Sequence, residues 1–218
     1  FLRDFYRAYY QPANTALTIA GDFELADMKA YLAALFSDWQ GTAVVEAVAP
    51  EPVETPTRAR VLLVDKPDAI ETTFLIGGMG ISRDNPDFVG LQVINTILGG
   101  RFTSWLNDEL RVNSGLTYGA RSGFIPFRDG GMFRISTFTK TSTTEEAIDL
   151  ALATYAKLWE QGIDQATLDS AKAYVKGQFP PDYETTGQMS SLMAASRDGI
   201  LGRPSITGEK TTQRLIKL

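Results

Sequence analysis

The chain has 218 residues, is 44% hydrophobic and 22% charged, and carries a formal net charge of −5. That composition suits a globular protein with a sizeable core, and its acidic balance argues against nucleic acid, whose phosphates need a concentrated basic surface. There is no cysteine and no histidine, which excludes a disulfide framework, thiol catalysis, a Ser-His-Asp triad and a His-x-x-Glu-His zinc site.

Phe1 to Tyr10 is helical in period and ends at Pro12. Asn14 to Phe23 reads as a strand with apolar Ala16, Leu17, Ile19 and Ala20. Leu25 to Trp39 repeats apolar residues at Leu25, Met28, Leu32, Leu35 and Phe36, an amphipathic helix. Residues 40–59, with Pro50, Pro52 and Pro56, read as an extended linker. Arg60–Asp65 and Ile70–Gly78 are β-branched and apolar, and predict two strands joined by a turn at Lys66-Pro67-Asp68. Gly78-Met79-Gly80 superficially suggests a nucleotide-binding loop, but Arg83 stands where its third glycine belongs. Asn85 as cap and Pro86 at the first position predict a helix through Leu98.

The stretch from Leu98 to Tyr118 organises the rest. Gly99 and Gly100 break the preceding helix, and Phe102, Leu106 and Leu110 form an apolar stripe through Val112. Asn113-Ser114-Gly115 supplies a turn, with Gly115 suited to a positive φ. Leu116, Tyr118 and Ala120 then alternate as a strand would. Arg111 falls on the last helical turn and Tyr118 at the strand start, so both are able to reach one rim. Each has an ordinary explanation: the helix dipole favours a cation at that end, and a tyrosine at a strand start packs with its hydroxyl in water.

Strands at Thr117–Ile125 and Met132–Thr139 flank an Asp129-Gly130 hairpin turn. Thr143-x-x-Glu146 is a capping-box candidate, opening a helix with Ala147, Ile148, Ala151, Leu152, Tyr155, Leu158 and Trp159 on one face. Gly162 stops that helix, Asp164 caps another to Phe179, and a last one spans Glu184 to Ile200. Paired strands and paired helices indicate an α+β fold, a two-layer sandwich of a mostly antiparallel sheet with helices packed on one face.

The run LGGRFTSWLNDELRVNSGLTYGA resembles the C-terminal-domain signature of the insulinase/pitrilysin-type zinc metallopeptidases, which include the mitochondrial processing peptidase. That signature has Gly-Gly, Ser-Arg-Leu, Leu-Arg and then Gly-x-x-Tyr, and its Arg and Tyr fall here on Arg111 and Tyr118. Trp105 departs from it, standing where the family usually has Arg. The order helix, YYxPxN, strand, GDF, helix at residues 1–39 and the run KGQFPPDYET are also similar to this family.

The resemblance implies that residues 1–39 end a preceding domain, 40–59 link, and 60–218 form the C-terminal domain without its last strand-helix unit. Asn14–Phe23 and the helix after it are then expected to fill the vacant place in the sheet, within the chain or by exchange in a homodimer. Zinc and general base are implied on a preceding domain or a separate His-x-x-Glu-His subunit, with no cofactor held by this chain. Arg111 and Tyr118 are implied to contact peptide substrate beside that metal. A non-proteolytic structural or assembly subunit of the same fold is the alternative. Phe1–Tyr6 and Thr211–Ile216 both read as parts of helices, so the sequence is expected to be a piece of a longer protein. The periplasm is the compartment the resemblance favours.

Overall fold

A computed structural model describes residues 1–41, 56–127 and 130–197. The chain divides into two compact units, Phe1–Pro52 with Pro180–Gly208, and Val53–Phe179 with Glu209–Leu218. In the first unit, α1 (Leu2–Tyr9) and α2 (Leu25–Leu35) form where the sequence predicts helices, but α2 ends at Leu35 rather than Trp39, neither helix has a buried residue, and Leu25, Leu35 and Phe36 of the predicted stripe are exposed. α7 (Thr186–Arg197) belongs to the same unit, and the Thr18 hydroxyl donates to the Ser190 carbonyl at 2.9 Å.

The second unit holds the sheet: β1 (Glu71–Met79), β2 (Arg121–Pro126) and β3 (Gly131–Lys140) in the order β1-β3-β2, antiparallel throughout. Helices α3 (Phe88–Asn95), α4 (Trp105–Asn107), α5 (Thr144–Glu160) and α6 (Gln165–Gln178) complete it. Both α3 and α4 continue into π-helical turns, Thr96–Gly100 and Asp108–Asn113. Period-two alternation sends Ile135, Thr137 and Thr139 of β3 inward and leaves Met132, Arg134, Ser136 and Phe138 outward. Leu98, Leu106, Leu110, Ala120, Ile135 and Ala151 form the core, with Phe74, Ile76, Phe133 and Tyr155 packed against it. This is the expected α+β architecture, with helices on the sheet's inner face.

Several local expectations are corrected. Arg60–Asp65 forms no strand: Val61 to Val64 have no regular secondary structure and are 77–93% exposed. Asn14–Phe23 is not a strand either, and it is not among the three paired strands of the sheet. A β pattern records only that a residue fits a pleated surface, so a strand needs a partner to become one. The linker residues 42–55, the hairpin residues 128–129 and the end of the last predicted helix lie outside the described residues.

Helix starts also shift. Asn85 forms a turn in which its side-chain oxygen accepts from the Asp87 N–H at 2.9 Å, so α3 begins only at Phe88. Gly99 and Gly100 extend α3 through its π-helical turn rather than breaking it. The predicted capping box at Thr143 does not form; its hydroxyl pairs with that of Thr139 at 2.7 Å and donates to the Lys140 carbonyl. Leu152 and Trp159 of α5 are exposed, while Thr154 is buried with its hydroxyl on the Leu150 carbonyl at 2.7 Å. Gly162, at φ +74°, and Asp164, which accepts from the Thr167 N–H at 2.8 Å, behave as the sequence predicts.

Candidate functional site

The stretch from Leu98 to Ser122 is held by buried polar contacts. The backbone at Gly99 runs so close to β2 that a methyl group there would meet the Ser122 nitrogen at 2.3 Å. Asn95 receives the Ser122 hydroxyl at 2.7 Å. Arg101 turns back to donate to the Ser170 hydroxyl of α6 at 3.1 Å, with its guanidinium 5.8 Å from the Tyr174 ring. Ser104, in an extended conformation, then opens α4. Phe102 consequently lies before the helix and is 66% exposed, while Leu106 and Leu110 of the predicted stripe are fully buried.

Arg111 and Tyr118 are brought into register by one carbonyl. The Leu110 oxygen accepts from Leu116 N at 2.9 Å, Thr117 N at 3.2 Å and the Ser114 hydroxyl at 3.0 Å. These three donors fold the turn back on the residue that immediately precedes Arg111. Gly115 makes the turn with φ +67°, a conformation strained for any side chain with a Cβ. Beyond it, Thr137 donates to the Gly119 carbonyl at 2.9 Å and Thr139 to the Leu116 carbonyl at 2.7 Å. The Ala120 N–H reaches the Asn107 side-chain oxygen at 2.9 Å. Residues 116–120 are therefore fixed by hydrogen bonds from α4 and β3, and β2 starts later than predicted, at Arg121.

The two side chains differ in their supports. The Arg111 guanidinium lies 4.6 Å above the Phe102 ring, a cation–π contact. Tyr118 is 82% exposed, with its ring 6.4 Å from that of Phe138. Neither donates a hydrogen bond to another described residue, and no direct contact joins them. Behind Arg111, Glu109 accepts from Lys157 of α5 at 2.5 Å and from Asn113 at 3.2 Å. The Lys157 hydrogen bond, followed by that from Asn113, holds the Glu109 carboxyl below the usual carboxylate range. Phe102 and Phe138 are the supports that the sequence reading missed. The alternation of β3 carried the signal for Phe138, whereas Phe102 read as core.

The donor set of this chain does not fit zinc. It has no histidine and no cysteine, and among the described residues no three acidic side chains converge. No described helix is long and apolar enough to cross a membrane.

Comparison with known proteins gives this geometry its context. The sequence profile described as the peptidase M16 inactive domain matches residues 1–175. The chain is 25% identical over 190 residues to a Bacillus subtilis protein named uncharacterized zinc protease YmxG, covering 87% of this chain and 45% of that protein. It is 32% identical over 101 residues to the Helicobacter pylori protein named non-peptidase homolog YmxG, covering 45% of this chain and 23% of that one. A crystal structure of a peptidase M16 inactive domain from Pseudomonas fluorescens superposes with a TM-score of 0.66 at 25% identity, covering 90% of this chain and 44% of that chain. The chain thus spans less than half the length of these relatives. Matched by the profile over most of its length and by solved structure over nearly all of it, the chain belongs to the peptidase M16 inactive-domain family.

Proposed function

We propose that this chain is the substrate-binding, non-zinc part of a zinc metallopeptidase, with Arg111 and Tyr118 contacting the peptide backbone. The observation that carries this reading is the Leu110 carbonyl. Its three donors, from Ser114, Leu116 and Thr117, fold the chain back between the residues that precede Arg111 and Tyr118, and neither side chain makes a hydrogen bond to another described residue, which supports the reading. Arg111 offers a fork of donors with permanent charge, and Tyr118 a single hydroxyl donor. Such donors suit a substrate carbonyl and the negative charge that grows on its oxygen as the peptide bond is attacked. In this reading, the metal and the general base belong to a preceding domain or a separate subunit. Residues 60–218 are then the second domain of a pair, and the protein works in the periplasm.

The test uses the intact protein with its zinc-bearing part. Arg111→Ala and Tyr118→Phe are each expected to lower peptide turnover on the order of 10²- to 10³-fold, the cost of losing an oxyanion donor. Zinc content should stay unchanged. Wild-type turnover in both variants would sink the assignment.

The match to a protein named a non-peptidase homolog supports a second reading, a structural subunit of the same fold. Absence of both bound zinc and peptide hydrolysis in the intact protein would decide for it.

A further inference from the structure

The outer face of the sheet has an unusual charge pattern. Across β1, β3 and β2, the strand register aligns Leu75, Ser136 and Arg121 in one row, Gly77, Arg134 and Gly123 in the next, and Met79, Met132 and Ile125 in the third. The chain has more acidic than basic residues, 26 against 21, yet these three rows hold two arginines and no carboxylate; the same face carries its one strand carboxylate, Glu71, only at the far end of β1, opposite Lys140. Both arginines are exposed, and neither forms an ion pair or side-chain hydrogen bond with another described residue.

Arg134 has glycine on both flanks. Lateral neighbours in an antiparallel sheet bring their Cβ atoms to about 5 Å and normally cover one another. A Cβ at Gly123 would meet nothing within 4 Å, so the space beside Arg134 is open on that side. At Gly77 a Cβ would strike the Phe133 carbonyl oxygen at 2.4 Å, so that flank stays bare as well. The apolar row Met79, Met132 and Ile125 on one side, and Leu75 on the other, give an extended peptide something to lie on.

This surface reaches the candidate site at Tyr118. Phe138, the ring beside Tyr118, stands on the same face of β3 as Arg134. Four residues of antiparallel strand separate the two, roughly 13 to 14 Å. An extended peptide covers that distance with about four of its own residues.

We propose that Arg134 and Arg121 are specificity-determining residues that take carboxylate side chains of an extended peptide, Arg134 about four residues and Arg121, opposite Ser136, about two residues from the bond presented to Arg111 and Tyr118. The inference rests on the clamp reading above and adds its substrate class, acidic peptides. Guanidinium suits the task because its planar fork matches a carboxylate with two parallel hydrogen bonds.

The test uses the intact zinc-loaded protein and internally quenched peptides of one frame. A single Glu is moved from position to position, each peptide being paired with its Gln counterpart. The Glu-to-Gln ratio of kcat/KM should peak between about two residues (Arg121) and four residues (Arg134) from the cleaved bond, by about two- to fivefold for each arginine, the size of an exposed ion pair. It should shrink with added salt, fall to one in the Arg121→Gln/Arg134→Gln double variant, and drop below one in Arg134→Glu. A flat ratio, or a peak that survives the double variant, overturns the proposal. Cleavage unaffected by Arg111→Ala overturns the clamp reading instead, so the two failures are distinguishable. If none of the peptides is cut, fluorescence anisotropy compares the Glu and Gln forms on the same protein, and equal affinities overturn the proposal.

Discussion

Leu106 and Leu110, spaced one helical turn apart, and the apolar run Val61–Val64 meet opposite ends. Leu106 and Leu110 are fully sealed beneath the sheet, with Ala120, Ile135 and Ala151 around them. Val61 to Val64 stand almost wholly in water. Hydrophobic free energy scales with the surface actually removed from water, so identical side chains stabilise only where a partner covers them. The difference shows that the candidate site is built on the well-packed region, where its geometry is fixed by burial and by satisfied polar groups.

Substitutions give ways to break that contrast. Leu110→Ala should cost the most, about 2 to 5 kcal/mol in urea unfolding, because it opens a cavity under the Arg111 turn. Stability near wild type would mean that the site does not depend on this core. Asn107→Ala strands the buried Ala120 N–H, and the expected loss is about 1 to 3 kcal/mol. Gly99→Ala forces the chain away from Ser122, an overpacking cost also of about 1 to 3 kcal/mol. A wild-type unfolding midpoint for it would show that β2 gives way freely.

Glu109→Gln should have a smaller effect, below about 1 kcal/mol, since its pair with Lys157 is half-exposed. Its sign with pH is fixed. The folded carboxyl lies below its usual value, so the pair contributes stability above the unfolded carboxylate range and loses it as pH falls through the folded value. Wild type and Glu109→Gln should therefore converge in stability at acidic pH; a difference that persists there would assign the effect to packing. Leu62→Ala is expected to change the stability of this chain least, within about 0.5 kcal/mol, because nothing covers the side chain.

Much of the fold was legible along the chain. The periods of α1, α2, α5 and α6, the β-branched runs of β1 and β3, and the stops at Gly115 and Gly162 follow from local rules. Arg111 and Tyr118 stand out by resemblance, and the structure adds that the Leu110 carbonyl, next to Arg111, accepts from Thr117 N, next to Tyr118. Phe102 was misread because a residue three or four positions before a helical stripe belongs to it only if the helix has already begun. Ser104 starts the helix later. Arg121 and Arg134 read as ordinary strand residues until the register set glycines beside one of them.

By itself, then, the sequence determined the α+β class, the exclusion of a histidine zinc site, and the turn that brings Arg111 near Tyr118. These depend on residue identity and on contacts a few positions apart. Tertiary structure alone decided which apolar runs become strands, that Phe102 supports Arg111 from outside the core, and that two arginines share an open face. Those outcomes depend on which surfaces meet, and a linear pattern carries burial preference without naming the partner.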